Sequence, residues 1–209
     1  MKKAIFFDLD GTLWDALVPL TDSWNKAMID NKTNYRFNVP LMKSFMGLTP
    51  EETLPLAFPG TSKEEGMKLF QICLKSELEF LAIHPGTLYS NEREILSILK
   101  KKYPLYIVSN SDKGYIENYL SACNMADFFD GHLCAGDTGL AKWQNIQKLQ
   151  HDENIDEVIY IGDTKKDMVE SEKAGAIFIH ASYGFGKIEN TKYKILSLDK
   201  LPQLIDKIF

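Results

Sequence analysis

Basic residues are in the minority in this chain, with 24 Lys and Arg against 29 Asp and Glu and a formal net charge of -5. That deficit argues against nucleic acid as the partner, because nucleic-acid binders present a basic face. The short clusters Lys100-Lys101-Lys102 and Lys165-Lys166 read as solvated helix ends. Long hydrophobic runs are also missing. No stretch approaches the ~18 apolar residues of a membrane-spanning helix. The apolar start Ala4-Ile5-Phe6-Phe7 is cut by Asp8 and Asp10 far short of an export signal. Cysteine is scarce, with only Cys73, Cys123 and Cys134, an odd and widely spaced set. This excludes a disulfide framework and points to free thiols in a reducing cytoplasm. His84, His132, His151 and His180 are scattered, and no Cys/His group offers a zinc site. Repeats and low-complexity segments are absent.

What is present is an ordinary globular composition, 44% hydrophobic and 25% charged over 209 residues, enough for one domain and a modest insertion. Five short apolar runs end abruptly in polar or small residues: Ala4–Phe7, Leu105–Val108, His132–Ala135, Val158–Ile161 and Ala176–Ile179. Apolar residues on consecutive positions are expected of parallel strands buried on both faces. Helical spacing separates them, in Ile116, Tyr119 and Leu120, in Ile146 and Leu149, and in Met168, Val169 and Ala174. The alternation predicts an α/β fold with a doubly wound parallel-sheet, Rossmann-like core.

Residues 16–84 interrupt that alternation. Leu17, Leu20, Trp24, Ala27 and Met28 share one helical face. Thr49-Pro50-Glu51-Glu52 and Ser62-Lys63-Glu64-Glu65 are capping boxes, the first with proline at the opening helical position. The second precedes the stripe Met67, Phe70, Leu74, Leu78 and Leu81. These features predict an all-helical insertion over 16–84, leaving 1–15 and 85–209 as the core. His84-Pro85-Gly86 forms the exit joint.

The chemistry-bearing residues cluster at predicted strand ends. Asp8 and Asp10 are two apart in an extended segment, so their side chains project to one side, roughly 7 Å apart. They stand at the carboxyl end of the first strand, where open α/β sheets bind ligands. Taken alone, Asp8-Leu9-Asp10-Gly11 also admits the alternative of an Asp-Gly turn with solvated acids. Asp163 ends another buried strand, and Asp167 follows at the start of a helix. Four carboxylates at one sheet edge suit Mg²⁺. Ser109 and Asn110 end the Leu105–Val108 strand, where hydroxyl, amide and backbone N–H groups can hold a phosphoryl oxygen. A helix cap is the alternative for Ser109, and a surface position for Lys142. The loop Tyr183-Gly184-Phe185-Gly186 borders the same edge, but Glu189 breaks any dinucleotide fingerprint.

Asp8-Leu9-Asp10-Gly11-Thr12, Ser109-Asn110, Lys142 and Gly162-Asp163-Thr164-Lys165-Lys166-Asp167 occur in that order. In this the chain resembles the haloacid dehalogenase-like hydrolases, specifically their phosphoglycolate phosphatase-like phosphatases with a small helical cap. One position departs: the family's lysine is often followed by proline, and Trp143 stands here. The resemblance implies that Asp8 is a nucleophile forming an aspartyl-phosphate and Asp10 a general acid and base. It implies Mg²⁺ on the Asp8 carboxylate, the Asp10 main-chain carbonyl and Asp163, with Asp167 in support. Ser109, Asn110 and Lys142 would bind the phosphoryl group of a small phosphorylated metabolite. Asp10 also separates phosphate-ester chemistry from dehalogenation and ATP hydrolysis within that superfamily. The insertion becomes a lid, with Lys43, Phe45, Met46, Gly47 and Thr49 as expected substrate contacts, or with Phe45 and Met46 simply as its core.

Two rivals share these residues. A phosphosugar mutase would want extra cationic groups in the cap, and residues 40–52 hold only Lys43. A phospho-receiver or binding module would have no use for Asp10 as an acid or for a lid of this size.

Overall fold

The computed structural model describes residues 1–209. In chain order, β1 (Lys3–Phe7) and the short β2 (Trp14–Asp15) lead into four helices, α1 (Leu17–Asp30), α2 (Val39–Phe45), α3 (Pro50–Ala57) and α4 (Lys63–Leu81). The chain returns through β3 (Thr87–Leu88), α5 (Glu92–Lys100), β4 (Leu105–Ser109), α6 (Tyr115–Ala122) and β5 (Gly131–Cys134). It continues through the single turn α7 (Ala135–Thr138), α8 (Lys142–Asp152), β6 (Glu157–Gly162), α9 (Lys165–Lys173), β7 (Ile177–Ala181), β8 (Lys194–Ile195) and α10 (Leu201–Ile208).

Six strands form one sheet in the order β5-β4-β1-β6-β7-β8, and every pairing in it is parallel. The physical basis is visible residue by residue. Ile5 and Phe7 of β1 join one apolar core with Ile95 and Leu96 of α5, Ile116 and Tyr119 of α6, and Leu201 and Ile205 of α10. Ala4 and Phe6 join the core on the other side with Ile146 and Leu149 of α8. Alternate side chains of a strand point to opposite faces, so consecutive apolar residues are what a sheet covered on both faces demands. The fold is therefore doubly wound α/β, with β1 central and its carboxyl end at the sheet edge where the loops gather.

The strand limits differ in detail from the apolar runs. The third strand is Gly131–Cys134 rather than His132–Ala135, because Ala135 already opens the α7 turn. β7 runs on to Ala181. β8 carries only two residues and no apolar run, and is held by its register, His180 beside Lys194 and Ala181 beside Ile195.

Helices α1 to α4 pack on one another around Trp24, whose ring lies 5.1 Å from Phe37, 5.8 Å from Phe45, 6.3 Å from Phe58 and 5.7 Å from Phe70. Both anticipated capping boxes are formed, at Thr49 with Glu52 and at Ser62 with Glu65. Asn38 caps α2, accepting from the Leu41 N–H at 2.9 Å. Between the sheet and these helices, β2 and β3 pair antiparallel, Trp14 with Leu88 and Asp15 with Thr87. That clasp draws together the outgoing and returning chain.

One buried acid makes stability depend on pH. Glu92 is 2% exposed and accepts from the Tyr119 hydroxyl at 2.6 Å and the Tyr89 N–H at 3.2 Å. Burial pushes its carboxyl up from 4.5 to about 8. The folded state thus holds a proton that the unfolded state releases, so this stabilisation is complete below pH 4.5 and is lost as pH rises through about 8. Wild-type stability should fall across that window by up to ~1.4 kcal/mol per pH unit on this account. Chemical denaturation of Glu92→Gln at pH 6 and pH 8.5 should show a shallower fall than wild type. An equal fall would remove Glu92 as the cause.

Candidate active site

Asp8 directly follows β1, where its N–H donates to the Ile161 carbonyl at 2.8 Å, so it sits at the carboxyl edge of the two central strands. Its Oδ1 accepts from Lys142 Nζ at 2.9 Å. The same ammonium donates to Asp167 Oδ1. Lys142 opens α8 and is 2% exposed. Burial alone would lower its pKa, but the Asp167 and Asp8 carboxylates outweigh that and hold it well above its ordinary value. Asp167 is placed by its own helix start. Its Oδ2 accepts from the Thr164 N–H at 2.9 Å and the Thr164 hydroxyl at 2.6 Å, which completes the N-terminal cap of α9.

Asp163, fully buried at the end of β6, uses Oδ2 to accept from the Phe185 N–H at 2.6 Å and the Gly186 N–H at 3.1 Å. Its Oδ1 is buried without a partner. The loop can approach so closely only because Gly184 has no side chain. A Cβ there would stand 2.5 Å from the Asp163 Cβ. Gly184→Ala should therefore misplace Asp163 and destabilise by about 1–3 kcal/mol. Its activity should fall while its circular dichroism stays native. Unchanged turnover and melting temperature would mean that the loop yields freely.

Asp10 turns another way. Its Oδ1 accepts from the Tyr115 hydroxyl at 2.8 Å and from Trp14 Nε1 at 3.0 Å. Burial is the largest influence and pushes Asp10 up to about 7, with the Tyr115 hydrogen bond opposing it and the Asp8 charge adding to it. A carboxyl near neutrality at a cavity wall can both give and take a proton. Asp8 is pushed up to about 6, first by burial and then by Asp167, with Lys142 opposing.

Asp8, Asp163 and Asp167 each bring a carboxylate oxygen within 4.8 Å of the others. This group of three acids contains one lysine, Lys142, paired with Asp8 and Asp167, a formal excess of two negative charges. Burial pushes Asp163 up to about 8, and Asp167 and Asp8 add to the rise. The donor set is all oxygen, the excess is divalent and one buried oxygen lacks a partner. These residues fit a hard dication such as Mg²⁺. The Asp10 side chain lies outside this group, held by Trp14 and Tyr115.

A cavity of about 110 Å³ joins these residues to α1 to α4. Asp8, Asp10, Ser109, Asn110, Lys142 and Asp163 line its sheet side, and Phe45, Met46 and Gly47 line its helical side. Ser109 Oγ accepts from the Ser111 N–H at 3.2 Å and so shapes the turn after β4. Two expected cap contacts lie elsewhere. The Lys43 ammonium sits 5.6 Å from the centre of the Phe185 ring and is not part of the lining. Thr49 is committed to capping α3 and borders a neighbouring depression with Asn110 and Lys142.

Sequence reading missed Trp14 and Tyr115, which hold Asp10, as well as Ser111, Trp24 and Glu77 in the cavity wall. Nothing in their local pattern sets them apart. Only the close spacing of Ser111 and Tyr115 to the Ser109-Asn110 turn offered a signal.

A parallel sheet whose carboxyl edge gathers Asp8 after β1, Asp163 after β6 and Asp167 of α9, with Lys142 between Asp8 and Asp167, has the form of an open α/β site. The haloacid dehalogenase-like hydrolase family matches residues 5–181, and this chain belongs to it. The phosphoglycolate phosphatase of Haemophilus influenzae is 27% identical, over 88% of this chain and 87% of that protein. Among solved structures, a haloacid dehalogenase-like family hydrolase of Streptococcus pneumoniae superposes with a TM-score of 0.85 at 22% identity, covering 98% of each chain. A subfamily IA hydrolase of the same superfamily from Geobacter sulfurreducens gives 0.74 at 18% identity, covering 98% of this chain and 96% of that one. The protein is an enzyme, and its class is the hydrolases.

Proposed function

We propose that this enzyme is a Mg²⁺-dependent phosphatase that hydrolyses a small phosphorylated metabolite through an aspartyl-phosphate on Asp8. The observation that carries the reading is the buried Asp8–Lys142–Asp167 chain with Asp163 beside it, facing a cavity whose wall also holds Asp10.

In this reading Lys142 holds Asp8 Oδ1 and leaves Oδ2 without a side-chain partner. An Asp8 oxygen attacks phosphorus, and the bond to the ester oxygen breaks as Asp10 delivers its proton to the leaving alcohol. Asp10 then takes a proton from water, whose oxygen attacks the phosphorus of the aspartyl-phosphate. Inorganic phosphate leaves and Asp8 is regenerated. Ser109, Asn110 and the Lys142 ammonium bind the phosphoryl oxygens. The Asp8 and Asp163 carboxylates and the Asp10 main-chain carbonyl would hold Mg²⁺, with Asp167 in support, and the ion when bound neutralises phosphoryl charge.

Residues 16–84 act as the cap over a core made of 1–15 and 85–209. The β2–β3 clasp is the natural hinge, and Lys166 of α9 pairs with Glu52 of α3 at 2.8 Å across the closed face. The size of the cavity favours a small ligand, since drug-sized sites run to roughly 300–1,000 Å³. Lys142 is the one cation in its wall, which favours hydrolysis over a mutase that must hold a second phosphate. Three buried free thiols accord with a cytoplasmic setting. No helix is long and apolar enough to cross a membrane.

The test is phosphate release over a panel of phosphorylated metabolites, with Mg²⁺ and with chelator. Release should require the ion and should vanish in Asp8→Asn. Mg²⁺-independent release, or release that survives in the variant, would overturn the mechanism.

A further inference from the structure

The α4 wall of the cavity has its own chemistry. Glu77, midway along α4, is 8% exposed and lines the wall. One of its oxygens accepts from Trp24 Nε1 at 2.8 Å, and its other oxygen has no hydrogen bond within the protein. Asp112, in the turn after β4, lines the same cavity. The surrounding wall is aromatic and apolar, with Trp24, Phe45 and Phe70 among its members. Buried carboxylates are ordinarily matched by a cation, but the one cation in this lining is Lys142, and it is already shared by Asp8 and Asp167. Burial leads in pushing Glu77 up to about 8, and the charges of Asp10 and Asp112 add to it. The cavity lining therefore holds no positive charge free to meet Glu77.

We propose that Glu77 is a specificity-determining residue that selects a phosphomonoester bearing an amine or ammonium group on its organic part, a phosphorylated amino alcohol, and rejects one bearing a carboxylate. The proposal rests on the phosphatase reading and narrows its substrate class. An ammonium group would draw the Glu77 carboxyl into its ionised form and would also meet the faces of aromatic rings, which attract cations. A carboxylate in the same place would find no free lysine or arginine in the cavity lining, since Lys75 and Lys113 border a separate depression with Glu77 and Asp112. It could not share the cavity with an ionised Glu77, so the wrong ligand is disfavoured. The relatives named as phosphoglycolate phosphatases would then differ from this enzyme in what the cap admits.

The experiment compares kcat/KM for O-phosphoethanolamine, glycerol 3-phosphate and phosphoglycolate, with Mg²⁺, for wild type and Glu77→Gln. Acetyl phosphate serves as a small reporter of phosphatase chemistry. Glutamine retains an acceptor for Trp24, so the helical packing should persist. Wild type should favour phosphoethanolamine about tenfold or more over the other two esters, and Glu77→Gln should lower the phosphoethanolamine-to-phosphoglycolate ratio by about tenfold or more. Free ethanolamine, but not glycolate, should inhibit wild-type hydrolysis of acetyl phosphate, a readout that needs no variant. Wild-type preference for phosphoglycolate or glycerol 3-phosphate, a ratio unmoved by the substitution, or inhibition by glycolate alone would overturn the proposal while leaving the phosphatase intact. Failure to release phosphate from any ester or from acetyl phosphate would instead overturn the phosphatase reading and this proposal with it.

Discussion

Asp8→Asn is expected to reduce phosphate release by ~10⁴-fold or more, the scale on which loss of an enzyme's nucleophile acts. The amide is nearly isosteric and still accepts from Lys142, so geometry is retained while the attacking oxygen loses its charge. The fold should not suffer. Asp8 is buried beside Asp167, and both burial and that charge oppose its ionisation. Removing one negative charge from a group of three against one lysine relieves repulsion. Without Mg²⁺ the variant should melt at or above the wild-type temperature, and it should show weaker thermal stabilisation by Mg²⁺. Phosphorus-labelled acid-quench trapping should detect protein-bound phosphate in wild type only. A variant that still turns over, or that is trapped as a phosphoprotein at another residue, would sink the role given to Asp8.

Lys142→Met is expected to damage stability and activity together. Its ammonium bridges Asp8 and Asp167 at nearly complete burial. Methionine fills similar volume but leaves the Asp8 and Asp167 carboxylates without their counter-ion, and breaking one side of a buried ion pair costs about 3–5 kcal/mol. For a chain of this size that corresponds to a melting temperature lower by roughly 10 °C. Activity should fall ~10³-fold, because phosphoryl charge loses its fixed cation. The sign with pH follows from the acids left behind. Asp8 is already pushed up to about 6 with Lys142 opposing the rise, and removing the cation pushes it further. The stability deficit should therefore be largest at alkaline pH and shrink towards pH 5, as that carboxyl takes up a proton. Saturating Mg²⁺ should restore stability but not turnover. Equal melting curves for variant and wild type across that range would show that the buried lysine is not what balances the site.

Ala4–Phe7 and Val158–Ile161 announced buried parallel strands because a sheet covered on both faces needs apolar residues at every position. Asp8 and Asp163 fell at the strand ends for the same reason. Thr49 and Ser62 announced helix starts through local hydrogen bonds that both form. The direction of Lys43 was not legible, because a charge in the last turn of α2 carries no local record of where it points, and its ammonium lies over Phe185 outside the cavity wall. β8 was invisible because two residues carry no periodicity.

By itself the sequence determined the α/β class, the helical insertion and the identity of the acids at the sheet edge. These follow from periodicity, capping and the ends of apolar runs, all of which are local. Only the tertiary structure decided that Tyr115 and Trp14 turn Asp10 away from the acid group. Only packing set Lys142 between Asp8 and Asp167, 134 and 25 residues away along the chain. Glu77 likewise came to face the cavity through the meeting of α1 and α4 around Trp24. Burial, counter-charge and hydrogen-bond partners depend on which distant segments meet, and a local pattern carries no record of that meeting.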